Sequence, residues 1–457
     1  DDMRFGIFYE HQLPRPWADG DEQRLIQDAL TQVELADRLG FQYVWEVEHH
    51  FLEEYSHSSA PEVFLAACSQ RTENIRLGHG IIQTAPAYNH PARTAERLAM
   101  LDLVSNGRVE FGSGESSSEA ELGGFGIDQA TKREQWLEGL EVAIRCMTET
   151  PFGGHDGTYV QMPPRNVVPK PVQSPHPPLW VACSRRDTIM LAAEKGIGAL
   201  SFAFIDPPEA ERWMVDYEQR LAESCVPVGK AVNPQVACVL PMMIADDESE
   251  ALRRGIEGAN FFGYSLAHFY VFGEHVPAHT DVWQEFVGRR DAMGYSPEAA
   301  IAAQSEVLGA KIASGDHTGL RGAIGTTDQV REFLRRYEDA GVDQVIFVLQ
   351  AGRNRHEHIM ESLERFGTEI LPEFAERDPA HVAERDRRFA PHIEAAFARK
   401  AELGLDEPRP MPDDYVMKAI PKAMVDQMNS PEATKFLDKV ADEGAIGEAQ
   451  TLGSLLT

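Results

Sequence analysis

The stretch Tyr43–Phe51, which reads YVWEVEHHF, decides how this chain is expected to fold. Its first five residues are mostly aromatic and β-branched, which is typical of a buried β-strand. The stretch then ends in Glu48, His49, His50 and an aromatic ring. A parallel strand that delivers an acid, a base and a ring at its carboxyl end is typical of the catalytic face of a (β/α)8 barrel. Taken alone, the stretch is equally compatible with a core strand that ends in surface histidines.

Along the rest of the chain, short apolar runs alternate with longer segments of helical spacing. The apolar runs predict strands at residues 3–9, 43–47, 75–82, 108–112, 179–182, 198–204, 235–245 and 343–350. Helices between successive strands imply parallel pairing with right-handed crossovers. Eight such units close most economically into an α/β fold of the (β/α)8 TIM barrel type. The alternative is a doubly wound open sheet, whose typical Gly-x-Gly-x-x-Gly turn does not follow the first strand.

Two segments depart from the regular alternation of the barrel, which we predict to span residues 3–375. Residues 259–326 form an insertion before the last strand and are rich in aromatic residues and histidine. We interpret this insertion as a lid or substrate channel, although an additional pair of packing helices would explain the same composition. Residues 376–457 are predicted to form a helical C-terminal extension. Residues 152–178, rich in proline and glycine, are predicted to form a long loop with a hairpin.

Composition limits the classes of partner and compartment. Lys and Arg number 43 and Asp and Glu number 73, which gives a formal net charge of −30. An acidic surface disfavours nucleic acids and anionic membranes as partners. The 5 cysteines form no C-x-x-C pair, so we expect no disulfide framework and a reducing cytoplasmic location. Neither a leader sequence nor an apolar run long enough to span a bilayer is expected.

Five stretches of the chain together resemble the bacterial luciferase-like, flavin-dependent monooxygenases. In chain order they are VEHHF, LGHGII, NHPARTAERLAMLDLVSNGRVEFGSG, LWVACSRRDT and GTTDQVREFLRRYEDAGVDQVIF. The resemblance covers residues 3–375 and is most specific between His90 and Gly114. The Glu-His-His-Phe strand end resembles the branch that uses reduced FMN and O2 rather than deazaflavin F420. The resemblance implies FMN as a co-substrate, reduced by a separate NAD(P)H:flavin reductase, and a homodimer.

The resemblance also assigns roles to the polar strand end. In the family, reduced flavin and O2 give a C4a-peroxide, and protonation decides whether it attacks carbonyls or donates oxygen to electron-rich atoms. A group whose pKa lies near the working pH suits that control, and histidine is the natural choice. The resemblance implies that His49 is this group and that Glu48 approaches the flavin ring. His50 is included in the catalytic set, although a structural role for it is also open. A metal site is disfavoured because adjacent residues on a strand point to opposite faces.

A second implied flavin contact is the end of the third strand. The resemblance places the backbone of Gly80 and Ile81 against the isoalloxazine, where small residues allow close approach. The family often carries a non-proline cis peptide bond at this place, which here would join Gly80 to Ile81. The alternative is an ordinary barrel strand that contains glycine.

The flavin phosphate requires backbone N–H donors, hydroxyl groups and positive charge. Residues 182–188 (ACSRRDT) supply all three where a strand gives way to a helix. The resemblance implies that Ser184 grips the phosphate, with Thr188 and Arg185 as helpers. We also assign the neighbouring Cys183 and Phe202 to the cofactor site.

The second phosphate loop, residues 112–118 (GSGESSS), departs from luciferase, which has an arginine where this chain has Glu115. A carboxylate beside a phosphate would repel it. Two arrangements would resolve the conflict. Either Glu115 points away while Ser116 and Ser117 donate hydrogen bonds, or Arg185 and Arg186 supply the missing charge.

These observations predict a monooxygenase that uses FMNH2 and O2 to oxygenate a small lipophilic organic substrate. The aromatic insertion is the reason for expecting a lipophilic substrate. Three other functions stay open at this point. They are F420-dependent hydride transfer on the same barrel, flavin binding without catalysis, and metal-assisted hydrolysis that uses the histidine pair.

Overall fold

The computed structural model describes residues 3–202, 205–290, 321–418 and 431–443. Within these ranges the strands are, in chain order, β1 (Arg4–Tyr9), β2 (Tyr43–Glu46), β3 (Arg76–Gln83), β4 (Val109–Gly114), β5 (His155–Asp156), β6 (Gln161–Met162), β7 (Leu179–Cys183), β8 (Gly198–Ser201), β9 (Val236–Ile244), β10 (Ala323–Gly325) and β11 (Gln344–Val348). The helices are α1 (Asp21–Leu39), α2 (Pro61–Arg71), α3 (Pro91–Val104), α4 (Glu119–Gly124), α5 (Lys132–Thr148), α6 (Arg186–Lys195), α7 (Pro207–Ser224), α8 (Glu248–Ala267), α9 (Val282–Arg290), α10 (Thr327–Asp339), α11 (His356–Arg365), α12 (Leu371–Glu402) and α13 (Pro431–Glu443).

Eight of the strands close into a parallel barrel in the order β1-β2-β3-β4-β7-β8-β9-β11, with β11 pairing back onto β1. Each of these pairings is parallel, as crossover helices require. The short strand β10 pairs with the end of β9, and β5 and β6 form a two-stranded antiparallel hairpin. The predicted (β/α)8 barrel is therefore confirmed, and the open sheet was the wrong alternative.

Large side chains fill the barrel interior. Trp45 on β2 and Trp180 on β7 meet edge to face, with ring centroids 5.3 Å apart. The indole N–H of Trp45 donates to Gln344 and that of Trp180 donates to Glu110, each at 2.8 Å. Gly78 faces Trp45 so closely that a Cβ would lie 2.3 Å from the ring. Because the interior is packed, chemistry is confined to the loops at the rim of the barrel.

Local signals mark the helix ends that position the rim. Gly40 ends α1 with a φ of +96°, a left-handed conformation that favours glycine. His90 caps α3 by accepting a hydrogen bond from the backbone N–H of Ala92 at 3.1 Å, directly before Pro91. Both helix ends thus coincide with local sequence signals, a glycine directly after α1 and a proline at the first position of α3.

The segment after β9 contains the predicted insertion. Helix α8 continues into a π-helical turn, His268–Phe272, and α9 packs against α8. Phe261, Trp283 and Phe286 are buried together between the two helices. Residues 291–320, which belong to the predicted insertion, lie outside the described residues.

The chain divides into two compact units, Asp1–Arg409 and Pro410–Thr457. Helix α12 runs across the boundary predicted at residue 375 and lies within the first unit. Its residue Asp378 forms an ion pair with Arg4 at 2.9 Å. In the second unit, the structure describes α13 as a 13-residue helix. All five cysteines are buried and unpaired. Within the described ranges, the helices lack the combination of length and apolar character that crossing a bilayer needs.

Candidate active site

The carboxyl ends of β1 to β4 bring the first group of polar residues together at one rim. β2 ends at Glu46, and the chain then passes between the ends of β1 and β3. The N–H of Val47 donates to the carbonyl of Tyr9 at 3.4 Å, and the N–H of Glu48 donates to that of Ile81 at 3.0 Å. These backbone contacts fix the direction in which the side chains that follow leave the barrel.

Glu48 is buried within a network of neighbouring donors. One of its carboxylate oxygens lies 2.7 Å from Nε2 of His50, and the amide of Asn89 donates to both oxygens at 3.0 and 3.2 Å. The backbone N–H of Gln83 adds a contact at 3.3 Å. The side-chain carbonyl of Gln83 is buried and has no hydrogen-bond partner within the described ranges. Glu48 is thus held rigidly beside a free acceptor group at the end of β3.

His49 lies between two buried carboxylates. Its Nδ1 is 3.0 Å from Glu121 Oε1, and its Nε2 is 3.6 Å from Glu10 Oε2. Burial acts to lower the pKa of His49, but Glu121 and Glu10 outweigh it and raise the pKa well above its ordinary value. The expectation from sequence was a group that titrates near the working pH. The structure instead favours an imidazolium there, because two carboxylates flank the ring.

Glu121, on the short helix α4, connects several of the predicted site residues and was missed from sequence. Its Oε1 accepts from the backbone N–H of His50 at 2.8 Å, and its Oε2 accepts from the hydroxyl of Ser116 at 2.7 Å. Burial acts to raise the pKa of Glu121, but His49 and these donors lower it overall. The hydroxyl of Ser116, which was predicted to contact phosphate, is therefore engaged in holding Glu121.

The end of β3 has the backbone form that the resemblance implied. The peptide bond between Gly80 and Ile81 is a non-proline cis bond. Glycines of the neighbouring strand lie against this segment: a Cβ on Gly112 would meet the carbonyl oxygen of His79 at 2.0 Å, and one on Gly114 would meet the Ile81 side chain at 2.8 Å. The glycines of β4 are therefore required for the close packing of this part of the rim.

The charge of Glu115 is offset by cations of α5 that sequence analysis did not identify. Its carboxylate lies 3.3 Å from Arg133 and 3.9 Å from Lys132. Lys132 also donates to the carbonyl of Ser116 at 2.8 Å and to the hydroxyl of Ser117 at 3.1 Å. Partial burial lowers the pKa of Lys132, although the charge of Glu115 acts to raise it. The negative charge of Glu115 is thus offset by the positive charges of Arg133 and Lys132.

The predicted phosphate segment lies where β7 ends and α6 begins. Ser184 and Arg185 are exposed, and Thr188 is half-buried in the first turn of α6. Arg186 forms an ion pair with Asp216, so its charge is already matched. Arg185 lies 3.4 Å from Asp187, and the cations beside Glu115 are Arg133 and Lys132 of α5, which neither of the two weighed arrangements named.

Two further predicted residues lie beside this segment. Cys183 is buried at the end of β7, and burial raises the pKa of its thiol. The backbone N–H of Phe202 donates to the carbonyl of Cys183 at 2.8 Å, and its ring centroid lies 5.4 Å from that of Phe8. A Cβ on Gly114 would lie 3.6 Å from Ala182, which brings the phosphate segment next to the end of β4.

The groups at the rim fit the chemistry of a flavin. The free side-chain carbonyl of Gln83 can accept a hydrogen bond from a ring N–H. The glycine-lined backbone at Gly80 and Ile81 can lie against a planar ring. The exposed side chains of Ser184, Arg185 and Arg133 carry a hydroxyl and positive charges, which suit an anionic tail. The residues that sequence analysis missed are Glu10, Glu121, Lys132, Arg133 and Tyr270. Of these, only Glu10 had a signal, because it directly follows a predicted strand.

Comparisons with known proteins identify the family and agree with the fold. Residues 3–344 match the family model described as luciferase-like monooxygenase. The oxygenase component of a flavin-dependent trigonelline monooxygenase from Acinetobacter baylyi is 26% identical over 394 residues, which covers 85% of this chain and 98% of that protein. The crystal structure of monooxygenase RslO1 from Streptomyces bottropensis superimposes with a TM-score of 0.64 at 25% identity, covering 81% of this chain and 100% of that one.

A further solved structure extends the likeness in fold. The oxygenating constituent of 3,6-diketocamphane monooxygenase from Pseudomonas putida, solved in complex with FMN, superimposes with a TM-score of 0.60. Its identity to this chain is 19%, and the match covers 81% of this chain and 99% of that one. At this level of identity the similarity concerns the fold alone.

Proposed function

The chain belongs to the luciferase-like monooxygenase family, and on that premise we propose that it is the oxygenase component of a two-component system that uses FMNH2 and O2 to oxygenate a small lipophilic organic molecule. The trigonelline relative, whose match covers 85% of this chain, is described as flavin-dependent. The observation that carries the proposal is the position of His49, which lies between Glu10 and Glu121 at the rim that also holds Gly80 and the cations of α5.

Residues on both sides of this rim would hold the flavin. Ser184, Arg185 and the first turn of α6 would bind the phosphate, supported by Lys132 and Arg133. Gly80 and Ile81 would lie against the ring, with Glu48 beside it. When bound, reduced FMN supplies the two electrons with which O2 is activated. The FMN complex of the diketocamphane enzyme, which shares the fold, supports the choice of FMN.

His49 is the group that we assign to proton control. Because both ring nitrogens face carboxylates, the ring enters the reaction as an imidazolium and can donate a proton to a reacting oxygen atom. His50 keeps Glu48 in place through its 2.7 Å contact, and Glu48 stays within the proposed catalytic set.

Aromatic side chains next to His49 would keep water away from the reaction. The ring centroids of Tyr55 and Tyr270 lie 5.7 and 6.4 Å from that of His49, and Phe262 lies 5.6 Å from Tyr55. Phe262 and Tyr270 belong to the inserted segment, so their apolar surface supports the proposal of a lipophilic substrate and of a lid. The same aromatic surface would also exclude bulk solvent from a reactive oxygen species.

Two protein partners form part of the proposal. A separate NAD(P)H:flavin reductase would supply FMNH2, and the printed description of the trigonelline relative as an oxygenase component supports such a division of labour. A second copy of the chain is the other partner. Helices α2 and α3 pack side by side and expose Val63 and Met100 with 66% and 53% of their surface accessible. A homodimer would bury this apolar face.

The proposed cofactor is tested by anaerobic titration of the purified protein with FMNH2 and, separately, with reduced F420. We expect saturable binding of FMNH2 and at least tenfold weaker binding of F420. Oxygenated buffer is then mixed with the FMNH2 complex, and we expect slower reoxidation than that of free FMNH2, because the protein controls access and protonation. Preference for F420 would replace the monooxygenase by a hydride-transfer enzyme. Reoxidation at the rate of free flavin would point to flavin binding without catalysis.

The reaction itself is tested with a flavin reductase, NADH and isotopically labelled O2. A panel of lipophilic alkenes, aromatic compounds, ketones and thioethers is screened by mass spectrometry for products that gain one labelled oxygen atom. Substrate-dependent incorporation of one atom supports a monooxygenase.

Sedimentation analysis of the wild type and of Met100→Glu tests the dimer, and we expect the substitution to shift the protein to monomers.

A further inference from the structure

We propose that Glu10 is a positioning residue that, opposite Glu121, holds His49 as a doubly protonated imidazolium. The inference rests on the proposed function for the use of His49, but its geometry and its test do not depend on the flavin. Glu10 directly follows β1, whereas Glu121 lies on α4, so the two carboxylates approach the His49 ring from different parts of the rim.

A comparison of buried acids and imidazoles singles out Glu10. Glu46 lies 2.6 Å from His11, and the pairs Glu48–His50 and Glu121–His49 complete a set of three. Glu10, with 3% of its surface exposed, is a further buried carboxylate of this rim, and among the described residues the imidazole at ion-pair distance from it is that of His49. In the described part of the chain, none of these four carboxylates pairs with a lysine or arginine. Glu10 therefore shares the His49 ring with Glu121, because the ring lies within ion-pair distance of both carboxylates.

The contacts of Glu10 direct one oxygen atom at His49. Its Oε1 accepts a hydrogen bond from the hydroxyl of Tyr55 at 2.9 Å, and its backbone carbonyl accepts one from Ser56 at 2.8 Å. These contacts hold both the side chain and the backbone of Glu10 in place. Its Oε2 has no hydrogen-bond partner within the described ranges and lies 3.6 Å from His49 Nε2, an ion-pair distance.

The two carboxylates leave the His49 ring one favourable protonation state. A neutral imidazole carries an unprotonated nitrogen that acts as an acceptor. With Glu121 at Nδ1 and Glu10 at Nε2, either neutral tautomer would turn a lone pair toward a carboxylate, which is repulsive. Among the described residues, the other side chains in ring contact with His49 are Tyr55 and Tyr270, and neither carries a positive charge. Glu10 therefore decides whether the second ring nitrogen keeps its proton.

The test uses protein without flavin, in which the histidines carry 15N-labelled rings. The signals of His49, one of 16 histidines, are assigned by their loss in His49→Gln, and their shifts are followed against pH. We expect wild-type His49 to keep the shifts of an imidazolium well above the pH at which free histidine loses its proton. Glu10→Gln should lower its midpoint by about one pH unit, because a nearby opposite charge shifts a pKa by ~1–3 units. An unchanged midpoint in Glu10→Gln overturns the proposal, and so does a wild-type midpoint near that of free histidine.

Two further variants separate charge from structure. Glu10→Asp keeps the charge at a greater distance and should give a midpoint between those of the wild type and Glu10→Gln. If Glu10→Gln does not fold, Glu10→Asp decides alone, and a midpoint equal to that of the wild type contradicts the proposal. Glu53→Gln is the matched control, because Glu53 pairs with Arg15 and His275 rather than with His49. Because no flavin is present, these results are independent of whether FMN or F420 is the cofactor.

Discussion

The carboxylate of Glu54 accepts a hydrogen bond of 2.6 Å from the backbone N–H of Val282, the first residue of α9. A second bond of 3.0 Å comes from the N–H of Trp283. Glu54 is fully buried and lies four residues after His50, whereas Val282 belongs to the predicted insertion. A loop of the candidate active site therefore caps a helix within the inserted segment, which places a negative charge at the positive end of that helix.

The first prediction concerns this cap. Glu54→Gln should lower the free energy of unfolding by about 1–3 kcal/mol, because it leaves a buried N–H group without its charged acceptor. Hydrogen exchange in residues 282–290 should become faster, and mass spectrometry can follow both effects. The exposed Glu73 provides the control, since Glu73→Gln should change neither quantity. Unaltered exchange in α9 after Glu54→Gln would show that the cap does not hold the segment.

The second prediction concerns His49. His49→Ala should bind FMNH2 with the affinity of the wild type, because the residues proposed to bind the phosphate follow other strands. Product formation should fall by about 100-fold or more, the scale of contribution expected from general acid catalysis. Coupled turnover and flavin titration measure the two properties separately. The exposed His279 serves as the control position, and His279→Ala should behave as the wild type in both assays. Full activity in His49→Ala would remove His49 from the mechanism.

The third prediction concerns the phosphate loop. Arg133→Ala should weaken FMN binding by about tenfold, since it removes a cation worth ~1–2 kcal/mol from an anion site. Glu115→Gln should have the opposite effect and tighten binding, because it removes the carboxylate that now engages Arg133 and Lys132. Fluorescence titration at two salt concentrations measures both changes. Arg93→Ala, at a surface position paired with Glu96, is the matched control. Weaker binding in Glu115→Gln would mean that the carboxylate organises the loop.

The fourth prediction concerns acid stability. Burial lowers the pKa of His79 to about 3, whereas the side chain titrates near its ordinary value of 6.5 when unfolded. Between these values the unfolded state binds the extra proton, so stability falls as the pH drops through this window. The contribution of His79 approaches about 1.4 kcal/mol per pH unit. His79→Leu should therefore show a flatter decline of unfolding free energy between pH 6 and 4, measured by denaturant titration at each pH. An equally steep decline in this variant would refute the assignment.

Sequence patterns predicted much of the fold because the relevant information is local. Three local signals agree with the structure: the period of the apolar residues, Pro91 at the first position of a helix and Gly40 directly after one. The cis peptide bond at Gly80 was implied by family resemblance rather than by periodicity, and the structure contains it. Most strand limits differ by one or two residues from prediction, as for β2, which ends at Glu46, whereas β8 was predicted to reach residue 204 and ends at Ser201.

The sequence by itself determined a parallel barrel with a polar rim, and it placed His49 and Ser184 at strand ends on that rim. Only the tertiary structure decided which charges meet there. Glu10, His49 and Glu121 are far apart in the chain, and their contacts depend on barrel closure and on the path of the loop that carries α4. The distance between two loop side chains depends on the whole fold, whereas a strand's periodicity depends only on its own residues.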